Sequence, residues 1–224
     1  MGTACRAPRS GRNAQRTGRV HSVTQAAAQP DQIAGSTEAC YDEQRWWRCC
    51  GKDGAPGDGS RMKTLLILRH GKSSWKKPDL SDHDRPLNKR GKSDAPRMGR
   101  LLKEEDLVPD LILSSTAKRA RKTAEKAAAA SGYAGEVRPE EALYLAGPDA
   151  YIQLLKLVKD DCERVAVVGH NPGMEELLQT LTGVAEALPT AALAHVELPI
   201  NRWRELNRDT RGKLVALWCP RELA

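Results

Sequence analysis

The chain has 224 residues, 40% of them hydrophobic, and a net charge of +7, which suits one sizeable domain with a tail. The basic excess is modest and forms no dense stripe, so a small anionic substrate fits the composition better than a nucleic-acid duplex. No apolar run approaches the length of a membrane span, and the six cysteines form neither a disulfide framework nor a pair at metal-ligand spacing.

Residues 1–61 differ in composition from the rest of the chain. They are rich in Arg, Ala, Gly, Ser and Gln and lack hydrophobic periodicity, which predicts a disordered or weakly ordered extension. The first 30 residues carry five arginines and no acid, a composition typical of an organelle transit peptide. The alternative, which we favour, is an upstream extension without function, ahead of a start at Met62. With no secretion signal, the sequence predicts a cytoplasmic protein, or an organellar one if the extension is a transit peptide.

From residue 63 onward, short apolar runs alternate with amphipathic stretches. The runs predicted as strands are residues 64–68, 110–113, 164–168, 194–198 and 213–218. The stretches predicted as helices are residues 89–103, 117–131, 148–158 and 174–181. This alternation predicts one α/β domain over residues 62–224, a three-layer α/β/α sandwich with a mostly parallel central sheet.

Unusual polar residues stand at the ends of three predicted strands. Arg69 and His70 follow the first, His170 follows the third, and the second runs into the segment LSSTAKRARKTAE. Ligands of open α/β sheets gather at the carboxyl ends of strands, and glycines next to both histidines, Gly71 and Gly169, predict close backbone approach to a ligand. Guanidinium groups bind phosphate oxygens, and a neutral imidazole can attack phosphorus. The sequence therefore predicts a phosphate pocket with Gly71 at the substrate.

Each of these residues also has a structural interpretation. A single histidine after a strand is more often a hydrogen-bonded structural residue, and Arg119 and Arg121 in a basic helix would ordinarily be surface cations. Their joint occurrence in chain order at three strand ends favours the functional interpretation. The histidines have no Cys or carboxylate at ligand spacing and there is no Walker loop, so we predict neither a metal nor another cofactor.

Five segments resemble the histidine phosphatase superfamily, with its phosphoglycerate-mutase-like fold, and most closely its SixA-like branch of phosphohistidine phosphatases. They are LRHGKSSW (68–75), DRPLNKRGKSDAPRMG (84–99), LSSTAKRARKTAE (113–125), LYLAGPDAY (143–151) and VVGHNPGMEEL (167–177). The resemblance implies that His70 is the phosphorylated nucleophile and that Arg69 and Arg119 bind the phosphate. It also implies that His170 donates to the phosphoryl oxygens.

Two further residues are assigned to substrate binding less directly. The resemblance places Arg85 at the pocket mouth, where it either contacts phosphate or forms a salt bridge to a neighbour such as Asp82 or Asp84. A general acid is harder to find, because Glu140 and Glu141 are the only candidates in the corresponding part of the chain. We expect Glu141 to contact the substrate.

The sequence therefore predicts a metal-independent phosphatase that acts on phosphohistidine in a protein, or on a small phosphorylated metabolite. A weak acid suits a phosphoramidate, and the 25 residues between Tyr144 and His170 leave no room for a large covering insertion, which favours a protein-borne substrate. The alternatives are a broad phosphomonoesterase or phosphoglycerate-type mutase, and a non-catalytic phosphate-binding scaffold. No nucleic-acid or membrane partner is expected.

Overall fold

The structure, a computed structural model, describes residues 62–223. The predictions for residues 1–61 lie outside the described residues. The strands are β1 (Lys63–Arg69), β2 (Leu111–Ser115), β3 (Val137–Glu140), β4 (Arg164–Gly169), β5 (Leu193–Leu198) and β6 (Lys213–Trp218). The helices are α1 (Lys89–Glu104), α2 (Lys118–Ser131), α3 (Pro148–Leu155) and α4 (Gly173–Thr182), with short 3₁₀ turns at Glu141–Leu143 and Trp203–Glu205. Within 62–223 no helix is long and apolar enough to cross a membrane.

The strands form one sheet in the order β3-β2-β4-β1-β5-β6. Strands β3, β2, β4 and β1 run parallel to one another, whereas β5 is antiparallel to both β1 and β6. The predicted α/β class with a mostly parallel sheet is confirmed. Because β2, β4 and β1 are adjacent and parallel, their carboxyl ends lie side by side at one edge of the sheet.

The sheet has an apolar core on each face. Leu65 and Ile67 of β1 belong to the cluster that contains residues of α3 and α4, and Leu66 and Leu68 belong to the cluster with α1 and α2. The continuous apolar run of β1 is explained by this arrangement, since a strand covered on both faces needs no polar alternation. The three-layer prediction is confirmed.

Three elements differ from the sequence prediction. The strand β3 was missed because it is a short, polar edge strand that contains Pro139, which edge positions tolerate. The helix α3 ends at Leu155, and the next residues continue as tight i→i+3 turns up to Val158. The second strand runs on through Ser114 and Ser115, whose side chains are fully buried at its end.

Candidate functional site

The ends of three adjacent strands bring four of the predicted residues together. Arg69 ends β1 and pairs in register with Gly169 of β4, so His70 and His170 follow neighbouring strands. Their ring centroids are 5.0 Å apart. Arg119 lies in the first turn of α2, just after β2, and its Nη2 is 3.3 Å from Nδ1 of His170. We call Arg69, His70, Arg119 and His170 the strand-end cluster.

The imidazole of His70 is held in one tautomer. Its Nδ1 lies 2.8 Å from the carbonyl oxygen of Gly71, which can only accept, so Nδ1 carries the proton and Nε2 keeps a lone pair. Burial is the main cause that lowers the pKa of His70 from 6.5 to about 4. The hydrogen bond to Gly71 raises the pKa, and the positive charges of Arg119, Arg69 and Arg85 lower it further. At neutral pH the ring is therefore neutral and able to act as a nucleophile.

His170 is buried and has a partner at each nitrogen. Its Nδ1 faces the guanidinium of Arg119, which can only donate, so Nε2 carries the proton and donates to Oγ of Ser115 at 2.8 Å. Burial, followed by the proximity of His70 and Arg119, lowers the pKa of His170 to about 3. Donation to a phosphoryl oxygen would need a proton on Nδ1, which a bound phosphate anion favours electrostatically.

Arg69 is fixed by a main-chain carbonyl from a distant loop. Its Nη1 donates to the oxygen of Leu188 at 2.6 Å, and the amide of Asn171 donates to the same oxygen at 3.0 Å. The N–H of Leu188 donates in turn to Glu175 at 2.7 Å. Nε of Arg69 is buried and has no hydrogen-bond partner among the residues that the structure describes. This donor is therefore unsatisfied. Burial lowers the pKa of Arg69, and the charge of Glu175 opposes the shift.

Arg85 lies close to the strand-end cluster in an ion pair. Its Nη1 donates to Oδ1 of Asp82 at 2.8 Å, its other donors reach oxygens of residues 73–74, and its guanidinium stacks 3.1 Å from the ring centroid of Trp75. The ion-pair partner of Arg85 in the structure is Asp82 and not Asp84. A contact from Arg85 to phosphate stays a prediction.

Asp82 is a site residue that the sequence analysis treated only as a neighbour of Arg85. Its Oδ2 accepts from Nη2 of Arg119 at 2.8 Å and from the hydroxyl of Tyr144 at 3.0 Å, and its main-chain oxygen accepts from Nη1 of Arg119. Burial raises the pKa of Asp82, but the hydrogen bonds from Tyr144, Arg85 and Arg119 outweigh it and lower the value to about 2. The carboxylate is therefore ionised at neutral pH.

The structure shows a packing role for both glycines, and their predicted close approach to a ligand stays a prediction. The N–H of Gly71 donates to Thr123 at 2.9 Å and its carbonyl accepts from His70, so both of its polar groups are engaged within the protein. A Cβ at Gly71 would crowd the backbone of Gly91, and one at Gly169 would collide with a tyrosine hydroxyl. Both glycines make room for protein atoms.

Two other candidates lie apart from the strand-end cluster. Glu141 is exposed at the start of its 3₁₀ turn, and among residues 62–223 it has no hydrogen bond to the cluster. Glu140 pairs with Arg138. Arg121 is on the surface beside Glu125, so α2 directs Arg119 inward and Arg121 outward. A contact of Glu141 with the substrate stays a prediction.

A metal centre has no ready set of ligands in the described part of the chain. Within residues 62–223, no three His, Cys, Asp or Glu side chains are grouped so that they could hold a metal ion. The polar groups that the strand-end cluster presents are guanidinium donors and imidazole nitrogens. Guanidinium donors are suited to an oxyanion.

Comparison with known proteins gives matches over most of the described chain. A sequence model of the histidine phosphatase superfamily (branch 1) matches residues 65–144. An uncharacterized chloroplastic protein of Arabidopsis thaliana is 34% identical over 173 residues, covering 72% of this chain and 79% of that protein. An uncharacterized protein of Mycobacterium leprae is 33% identical over 167 residues, covering 69% of this chain and 100% of that protein. A solved structure assigned as the phosphohistidine phosphatase SixA of Agrobacterium tumefaciens has a TM-score of 0.60 at 29% identity, covering 70% of this chain and 98% of that one.

Proposed function

The chain belongs to the histidine phosphatase superfamily, in its SixA-like branch, and from this membership we propose that it hydrolyses phosphohistidine on a protein, with His70 as nucleophile. The observation that carries the proposal is the hydrogen bond from Nδ1 of His70 to the oxygen of Gly71. It leaves the lone pair of Nε2 available beside the guanidinium groups of Arg69 and Arg119. A phosphate-binding scaffold would need the arginines but not this fixed, neutral imidazole.

The first step is transfer of the phosphoryl group to the enzyme. Nε2 of His70 attacks phosphorus, the new N–P bond forms as the bond to the leaving nitrogen breaks, and the leaving imidazole takes a proton from water. Negative charge on the equatorial oxygens needs preorganised donors. The guanidinium groups of Arg69 and Arg119 supply these donors.

The second step regenerates the enzyme. A water molecule attacks the phosphorus of phosphorylated His70, the N–P bond breaks, and inorganic phosphate leaves while Nε2 recovers its lone pair. Nδ1 keeps its proton through both steps because its acceptor, the carbonyl of Gly71, belongs to the backbone. One difficult displacement is thereby divided into two easier ones.

The acid–base character of the site favours a nitrogen leaving group. The carboxylate nearest the cluster is Asp82, whose pKa of about 2 makes it a poor proton donor at neutral pH. In the described part of the chain, Glu141 has no hydrogen bond or ion pair with the cluster. An alkoxide leaving group needs protonation by an acid, whereas the nitrogen of a phosphoramidate is protonated readily by water. We therefore place phosphohistidine ahead of phosphomonoesters and phosphoglycerates.

The surface beside Arg85 suits a protein substrate. Trp75, which stacks on Arg85, is 75% exposed, and Lys72, Lys76 and Lys77 around it are exposed as well. An exposed aromatic ring among lysines can contact an acidic protein surface around a phosphorylated side chain. A small metabolite would make little use of it.

The proposal is tested by comparing three substrates with the purified full chain. A phosphohistidine protein, p-nitrophenyl phosphate and 3-phosphoglycerate are assayed side by side, each with and without EDTA. We expect the phosphohistidine protein to have the highest kcat/KM and EDTA to leave all rates unchanged. A higher rate on either phosphomonoester would favour the phosphomonoesterase or mutase alternative, and turnover that EDTA abolishes and Mg²⁺ or Zn²⁺ restores would contradict the metal-independent mechanism.

We place this activity in the cytoplasm, with an organelle as the alternative. The Arabidopsis thaliana relative carries a chloroplastic designation, and the first 30 residues of this chain carry five arginines and no acid. Fusing residues 1–61 to a fluorescent protein tests the choice. Diffuse fluorescence supports the cytoplasm, and accumulation in an organelle supports the alternative.

A further inference from the structure

The carboxylate of Asp82 lies between two of the arginines of the site. Oδ1 accepts from Nη1 of Arg85 and Oδ2 accepts from Nη2 of Arg119, both at 2.8 Å. Both arginine side chains are largely buried. A bound phosphate would likewise present two of its oxygens to these two guanidinium groups. The carboxylate therefore engages donors that a phosphate needs.

We propose that Asp82 is an internal competitor for the phosphate site, which holds the arginines when the site is empty and weakens the binding of inorganic phosphate. The inference rests on the proposed function, since it concerns the product of that reaction. Phosphate must displace the carboxylate from Arg119 or share the donors with it. In either case, two anions then lie close together and repel each other.

The position of Asp82 allows such an exchange. Its side chain is 46% exposed, in a turn that precedes Arg85, so it can move into water when a phosphate arrives. Arg119, by contrast, is only 4% exposed and cannot follow it. The carboxylate stays ionised across the neutral range, so the repulsion operates wherever the enzyme works.

In the proposed reaction, this competition would speed the release of inorganic phosphate. Three arginines around one phosphate would bind the product strongly, and release would then limit turnover. A carboxylate that returns to Arg85 and Arg119 as phosphate leaves replaces the lost interactions. A residue that only positioned the arginines would have the opposite effect, because its loss would weaken phosphate binding.

The test is calorimetric titration of the full chain with inorganic phosphate. Asp82→Asn removes the charge and keeps an oxygen acceptor, and Asp82→Ser removes the charge with a different side-chain shape. Asp84→Asn is the matched control, because it removes a carboxylate from the same turn that contacts Ser81 and His83 but neither arginine. Thermal unfolding of each variant checks that the fold is retained.

We expect Asp82→Asn and Asp82→Ser to bind phosphate about tenfold more tightly than the parent, with Asp84→Asn within about twofold. The Ki of phosphate as product inhibitor should fall in parallel. Equal or weaker binding by both Asp82 variants would overturn the inference, and so would equal tightening by Asp84→Asn. A parent protein that releases no phosphate from any of the three substrates would overturn the proposed function as well, whereas normal turnover without tighter phosphate binding by the Asp82 variants would overturn the inference alone.

Discussion

The hydroxyl of Tyr151 stands beside Gly169 where the Cβ of any other residue would lie. Tyr151 is fully buried in α3, and burial raises the pKa of its hydroxyl to about 12. Gly169 ends β4 and precedes His170, so this contact helps to set where the imidazole lies. The small residue is needed because a Cβ would overlap the hydroxyl of a fully buried tyrosine.

Gly169→Ala should therefore destabilise the protein and disturb the site. We expect a loss of about 1–3 kcal/mol in the free energy of unfolding, as for an overpacked core, together with lower kcat. Urea denaturation measures the first and turnover the second. Gly147→Ala is the control, since a Cβ there meets nothing within 4 Å and the expected loss is about 0.5–1 kcal/mol from the poorer helix N-cap, without an effect on kcat. Equal effects of the two substitutions would contradict this packing argument.

The pH dependence should follow the protonation of His70. Its folded pKa of about 4 lies below 6.5, so the nucleophile stays neutral as the pH falls through 6.5 and loses its lone pair only near pH 4. We expect ¹⁵N spectra of the histidine side chains to show His70 as the neutral Nδ1–H tautomer from pH 8 down to about pH 5. The spectrum of His70→Ala identifies the signal. Titration of this residue near pH 6.5, or a proton on Nε2, would contradict the proposed role.

Arg119 and Arg121 offer a matched comparison within one helix. Arg119→Ala removes donors to the transition-state oxygens and should lower kcat by about 10²- to 10³-fold, if it resembles loss of one preorganised oxyanion donor. Arg121→Ala removes the same charge from the exposed face of α2 and should leave kcat within about twofold. Steady-state kinetics on one substrate measure both. Similar losses in the two variants would indicate a general charge effect instead of a specific contact.

The sequence predicted those parts of the site that depend on chain order at strand ends. Arg69, His70 and His170 follow apolar runs directly, and the parallel order of the strands brings them together. Arg119 and Arg121 could not be separated by pattern, because both lie in a basic segment and only the packing of α2 makes one buried. The short, polar strand β3 likewise gave no apolar run to detect.

Other parts of the site depend on contacts that a side-chain pattern does not contain. The anchor of Arg69 is the main-chain oxygen of Leu188, more than a hundred residues away, and any residue could supply that oxygen. Asp82 appeared in the sequence as a neighbour of Arg85, and its contact with Arg119 depends on how the 76–88 loop folds back. The packing of Tyr151 against Gly169 is likewise a contact that no side-chain pattern contains.

Residues 1–61 should be dispensable for the chemistry. The first 61 residues lack hydrophobic periodicity, and the described cluster, sheet and apolar cores contain residues of the 62–223 range. A chain that starts at Met62 should therefore fold and turn over at a rate close to that of the full chain. Circular dichroism and kcat/KM compare the two proteins. An insoluble or inactive shorter chain would show that the first 61 residues contribute to the domain.

Phosphorylation of His70 is the most direct consequence of the proposed mechanism. Brief incubation with ³²P-labelled substrate, followed by denaturation, should leave label on this residue, stable in alkali and lost in acid as phosphoramidates are. His70→Ala should abolish labelling and turnover while the melting temperature stays close to that of the parent, since the residue follows β1 and leaves the apolar clusters intact. Arg119→Ala should reduce the rate of labelling without moving the label. Label on Ser114, Ser115 or Cys162, or a His70→Ala protein with more than a few per cent of parental activity, would contradict the histidine nucleophile and favour a phosphate-binding scaffold.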